Sequence, residues 1–185
     1  MSEVLDELRL DHANLAKLLD ALEHQLGVFD NGGRPDYDVI TGVIDYCLAY
    51  PDRYHHPKED LVLAKLRERD PDAYEKVRNL DDEHRKLSDL TRKFRALTEE
   101  VLHDAEIPRT EFSETVREFI NKYRQHMAWE DDGLFKPAEH SLEDEDWHSI
   151  MSEIASAADP LFGPQVAEEF EALRKDIVDM DRGVL

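Results

Sequence analysis

Cysteine is almost missing from this chain: Cys47 is the only one among 185 residues. That rules out a disulfide framework within the chain and a zinc site built from cysteines. Glycine is scarce, at seven residues, and nowhere do apolar and polar residues alternate with the two-residue period of a half-buried strand. No apolar run approaches the ~18 residues that would cross a bilayer. Positive charge is also short. Lys and Arg number 23 against 44 Asp and Glu, a formal net charge of -21. Such a balance argues against a phosphate backbone as partner and against an anionic membrane surface. The opening MSEVLDELRLDH carries acids in an amphipathic helical pattern, not the basic start and apolar core of a signal peptide. The expected location is the cytoplasm.

What remains is helix. Hydrophobic residues make up 41% of the chain, enough for a core, and they recur at steps of three and four. Leu5, Leu8, Leu15, Leu19, Leu22 and Leu26 form one stripe, with a gap filled by His12. Gly32, Gly33 and Pro35 stop it. A second helix is expected from about Asp36 to Arg69 through Ile40, Ile44, Leu48, Val62 and Leu66, with His55 and Glu59 on the same line. Asp70 and Pro71 read as the N-cap and first position of a third, which carries Val77, Leu80, Leu87 and Phe94, with His84 between Leu80 and Leu87. Pro108 and Thr110 open a fourth, through Phe112, Val116, Phe119, Tyr123, His126 and Glu130, with Gly133 and Pro137 expected to close it. Short connections between long amphipathic helices favour an all-α, antiparallel up-down four-helix bundle. This division puts the bundle at residues 1–140 and a C-terminal helical extension at 141–185. In the extension, Trp147, Ile150 and Ile154 form one short stripe, and Val166, Phe170, Leu173 and Ile177 another. The DPLFGP stretch between them reads as a turn. Both stripes need the bundle or a partner to cover them.

A polar residue on a buried stripe must be satisfied. Here all four helices place a histidine on the stripe and two add a glutamate. Counted from the turns, His12 is level with His55, Glu59 with His84, and His84 with His126 and Glu130, to within about one helical turn. His55 and Glu59, like His126 and Glu130, are four residues apart and share one helical face. Imidazole plus carboxylate suits iron, manganese or zinc, and the donor count fits two ions better than one. His56 is rotated by about 100° from His55 and faces a neighbouring helix or solvent. His24, His103, His140 and His148 are expected on the surface, Tyr54 and Tyr123 as packing groups, and Cys47 as a small core residue. Pro57 conflicts with a regular helix through His55 and Glu59 and suggests a kink there.

One histidine in the first helix, HHPKE in the second, DEH in the third and HMAWED in the fourth resemble the hemerythrin-like, HHE cation-binding family over roughly residues 5–140. That resemblance implies two non-heme iron ions joined by an oxo or hydroxo group. His12 and His55 would hold one iron, His84 and His126 the other, and Glu59 and Glu130 would bridge, with His56 as the third nitrogen of the second iron. The oxygen-carrying members place another histidine one turn after the third-helix one, where this chain has Ser88. The expected partner is a small diatomic or peroxide ligand, bound on the His12/His55 side between walls of Leu15, Leu48, Leu80, Leu87 and Phe119. The expected role is binding or sensing of oxygen, peroxide, nitric oxide or iron by a monomer or homodimer. Alternatives are an oxidoreductase consuming peroxide or nitric oxide, and iron handling for repair or storage. A ferritin-like oxidase would need paired ExxH motifs within the bundle, and the ExxH here, Glu145–His148, lies outside it.

Overall fold

The computed structural model describes residues 2–103, 106–154, 159–163, 166 and 168–182. All regular structure among them is helical: α1 (Glu3–Asp30), α2 (Tyr37–Tyr50), α3 (His56–Arg69), α4 (Pro71–Val77), α5 (Leu80–Leu102), α6 (Arg109–Glu130), α7 (Lys136–Ser141), α8 (Asp144–Glu153) and α9 (Glu171–Asp181), with a 3-10 turn at Glu168–Phe170. A first π-helical turn, Pro51–His55, joins α2 to α3, and a second, Asp131–Phe135, joins α6 to α7. α1 packs on α2 and α6, and α5 packs on the same two. The four therefore close a ring in the order α1, α2, α5, α6, as an up-down bundle requires.

Local chemistry sets the boundaries. Gly32 takes φ +83°, a left-handed conformation that a side chain would strain, and ends the turn after α1. Asp36 caps α2 by accepting from the backbone N–H groups of Asp38 and Val39, and Asp70 caps α4 by accepting from that of Ala73. Three expectations change. The second helix does not run evenly from Asp36 to Arg69 but passes through the first π turn. The third breaks at Arg78 and Asn79 into α4 and α5. The fourth does not close at Gly133 and Pro137 but continues through the second π turn into α7. Gly133 is there for close packing: a Cβ at that position would meet Val77 Cγ1 at 2.8 Å.

The two π turns share one cause. Each ends two residues before a proline, Pro57 or Pro137, which has no N–H to return to the preceding turn. Widening the turn shifts the bonding by one residue: His56 N–H reaches Pro51 O, and Lys136 N–H reaches Asp131 O. The chain thus keeps its direction past each proline.

The apolar interior is two clusters, not one. The first joins Leu18 to Phe29 of α1 with Val39 to Tyr50, Leu87 to Leu97 and Phe112 to Met127. The second joins Val4, Leu5 and Leu8 with Val62, Leu66, Val77, Leu80, Leu134 and Phe135. Between them lies the histidine and glutamate layer, drawn from α1, α5, α6 and the segment that continues α2 through the first π turn into α3. Beyond residue 141 the chain covers both clusters: Ile150 of α8 joins the second, and Leu161, Phe170, Leu173 and Ile177 join the first. α9 lies against α1 and α2, where a Cβ on Gly42 would meet Leu173 Cβ at 3.2 Å. Leu173 is fully buried, so Leu173→Ala should cost about 2–5 kcal/mol in urea unfolding while leaving metal content unchanged.

Candidate metal centre

Six of the seven predicted donors converge with their side chains nine-tenths or more buried: His12, His55, Glu59, His84, His126 and Glu130. His12 Nε2 lies 3.2 Å from Glu130 Oε2, and His55 Nε2 lies 3.2 Å from Glu59 Oε1. His84 Nε2 sits between the carboxylates, 3.3 Å from Glu59 Oε2 and 3.1 Å from Glu130 Oε1. His126 Nε2 is 2.8 Å from Glu130 Oε1. His56, the seventh, also joins. Its ring stacks on that of His84 with centroids 3.6 Å apart and planes 11° from parallel. The first π turn makes this possible, because its extra residue lets adjacent histidines both address the interior. Of the remaining histidines, His103, His140 and His148 are exposed, as expected, and His24 is half-buried.

The carboxylates are shared. Ligand atoms of His12, His55, Glu59 and Glu130 lie within 4.8 Å of one another, as do those of His56, Glu59 and His84, and those of His84, His126 and Glu130. Glu59 and Glu130 each belong to a group on either side. Their oxygens are also poorly satisfied as hydrogen-bond acceptors. Both oxygens of Glu59, Oε2 of Glu130 and Nε2 of His12 are buried without a hydrogen-bond partner. Nitrogens stand close by but are not aligned to donate. Donors aimed at common points, instead of at one another, fit a bound cation, whose charge would meet the oxygens that no aligned hydrogen bond satisfies.

Electrostatics agree. Burial alone would push the imidazoles down, yet the charge on Glu59 and the contact with Asp11 raise His55 to about 10. Burial is likewise outweighed at His84, which Glu130 and Glu59 raise to about 9. His56 goes the other way, to about 4, because burial and the adjacent His84 both oppose its charge. Glu59 is held below its usual range against burial and the repulsion of Glu130, chiefly by His55 and His84.

Three carboxylates that sequence reasoning missed orient the rings. Asp131 Oδ1 lies 3.2 Å from His12 Nδ1, Asp11 Oδ2 3.1 Å from His55 Nδ1, and Asp52 Oδ1 3.1 Å from His56 Nδ1. Each pairing turns the ring so that Nε2 faces the centre. Asp52 could have been found from its four-residue spacing to His56. Asp11 and Asp131 adjoin His12 and Glu130 in sequence, but each serves a histidine on another helix, which no local pattern reveals.

A cavity of about 30 Å³ opens beside the centre, room for a water-sized molecule or a little more. Of the expected walls, Leu15 and Leu87 line it, whereas Leu48, Leu80 and Phe119 do not. They pack into the apolar clusters instead. Their places are taken by Tyr46, Cys47, Tyr50, Tyr123 and Met127. Tyr123 is bonded to Thr91 at 2.9 Å, and burial pushes the Cys47 thiol up to about 12. Tyr54 is a packing group, its ring 5.3 Å from that of Tyr50.

The model of the Hemerythrin HHE cation binding domain matches residues 3–138 and, in a second, overlapping match, residues 78–182. The chain belongs to the hemerythrin HHE cation-binding family. No curated protein and no solved structure matches it. The hemerythrin matches together take in most of the chain, α8 and α9 included. Among the described residues no helix is long and apolar enough to cross a membrane.

Two outcomes follow for this hemerythrin-family centre. A cation must displace the protons held by His55 and His84, which sit above neutral pH in the metal-free chain. Metal uptake at pH 7 should therefore release protons, about two, and apparent affinity should rise with pH up to about 10. Calorimetry in buffers of different ionisation enthalpy measures this directly. Asp11→Ala and Asp131→Ala should each weaken metal binding about 10–100-fold by freeing a ring, as read by chelator competition.

Proposed function

We propose that this protein holds two iron ions bridged by Glu59 and Glu130, and uses them to bind or sense oxygen, peroxide, nitric oxide or iron supply. One observation carries the reading: each buried glutamate is shared by two histidine groups and has oxygens that nothing donates to. His12 and His55 would hold one ion. His84 and His126, with His56, would hold the other. Such a pair supplies two electrons and an open coordination position for a small ligand.

The chain does the rest. Asp11, Asp52 and Asp131 fix three rings. Phe135 stacks on His12 with centroids 5.1 Å apart and closes that side to water. A cavity of about 30 Å³ suits a diatomic or peroxide and excludes larger substrates, which favours ligand binding over conversion of an organic substrate. With a net charge of -21, nucleic acid and anionic membranes are disfavoured as partners.

Metal analysis with an optical spectrum of aerobically purified protein tests the reading. Two irons per chain and an oxygen-dependent spectrum are expected, and Glu59→Ala/Glu130→Ala should empty the site. One zinc per chain with no such spectrum, or near-normal iron in the double variant, would sink it. His56→Leu should lose or weaken one iron, not both, while exposed His148→Leu changes neither. Repeated consumption of peroxide per site would replace the sensing role with an oxidoreductase.

A further inference from the structure

Hydroxyl protons on the cavity wall are nearly all committed elsewhere. Three phenols line it. Tyr46 donates to Asp159 Oδ2 at 2.9 Å, and Tyr50 donates to Asp11 Oδ1 at 3.0 Å. The third follows by elimination. Thr91 Oγ1 has one hydrogen and gives it to the Leu87 carbonyl at 2.7 Å, so at its 2.9 Å contact with Tyr123 the phenol must donate. The Nδ1 atoms of His12, His55 and His56 face Asp131, Asp11 and Asp52. The Cys47 thiol, a weak donor, lies beside the Tyr123 phenol. Leu15, Leu87, Met127 and Pro51 offer no proton, and the wall carboxylates only accept.

Among the wall hydroxyls Ser88 is the exception. It lines the same cavity, half-buried, and no described hydrogen bond engages its hydroxyl. By contrast, Thr91 and Thr98 on the same helix both return their hydroxyls to a backbone carbonyl four residues back. Ser88 stands one turn after His84, on the same face of α5. A small residue there leaves open space that a larger side chain would fill.

We propose that Ser88 is the residue that orients the small ligand, by donating one hydrogen bond to its outer atom within the cavity. This rests on the di-iron reading and narrows its ligand class. The cavity selects a diatomic or peroxide whose outer atom accepts a hydrogen bond, and Ser88 is the wall hydroxyl free to give it. A ligand too large to share the space with Ser88 finds no place there.

Nitric oxide added to the full-length, iron-loaded chain is the probe. Its N–O stretching band should shift between H2O and D2O. In Ser88→Ala, with iron content unchanged, the band should move, lose its D2O sensitivity, and the ligand should dissociate about tenfold faster, the effect of one lost hydrogen bond. Ser88→Thr keeps the hydroxyl and should restore both. A D2O-sensitive band and unchanged dissociation in Ser88→Ala would overturn the proposal, as would a D2O-insensitive band in the unaltered chain. Either result leaves the di-iron reading standing. Absence of iron from the unaltered chain would instead remove that reading and, with it, this role for Ser88.

Discussion

Two glutamates sit at the middle of this bundle with their side chains almost wholly out of water, and no hydrogen-bond donor is aligned on three of their four oxygens. Burying a carboxylate costs several kcal/mol unless charge and geometry return it. Everything nearby answers that cost. Histidines from α1, α3, α5 and α6 and the first π turn aim at the two groups, and aspartates behind three of those rings hold their orientation. Without a cation the imidazoles take up protons to balance the charge, which is why His55 and His84 rise while His56, stacked on a charged neighbour, falls. A cation replaces those protons and meets the orphaned oxygens at once.

Much of this is legible in the sequence because it is periodic. The leucine stripe of the first helix has one interruption, His12, and a histidine in an apolar stripe of each helix at one height already defines a layer. The buried glutamates follow from their four-residue spacing to His55 and His126. What escapes is whatever depends on contacts between helices. Asp11 serves His55 and Asp131 serves His12 across helix boundaries, so nothing in either helix marks them. The cavity walls escape for the same reason. Leu80 and Phe119 lie on the predicted faces, but the depth at which a face meets the cavity is set by packing, and tyrosines take those places.

Proline and glycine carry a different lesson. Pro57 reads as a kink and Gly133 and Pro137 as an end, because a regular α-helix cannot accommodate a proline's missing N–H and glycine favours ends. The structure accommodates both prolines by widening a single turn ahead of each. That solution is a shift of one residue in hydrogen bonding, which leaves composition and spacing unchanged. At the first of these turns the same widening lets His56 join the centre instead of facing solvent. At the second, the turn brings Gly133 so close to Val77 that only a missing side chain fits.

Placing the polar layer between two apolar clusters gives the centre a mechanical position as well as a chemical one. α1, α5, α6 and the joined α2–α3 segment each cross from one cluster to the other through a histidine or glutamate of that layer, so the strength of the layer sets how firmly one half of the bundle is tied to the other. The segment beyond residue 141 touches both halves, α8 at one end and α9 at the other. Occupancy of the centre is therefore also a measure of end-to-end rigidity, and the outer helices would report it at both ends of the molecule without approaching the histidine and glutamate layer.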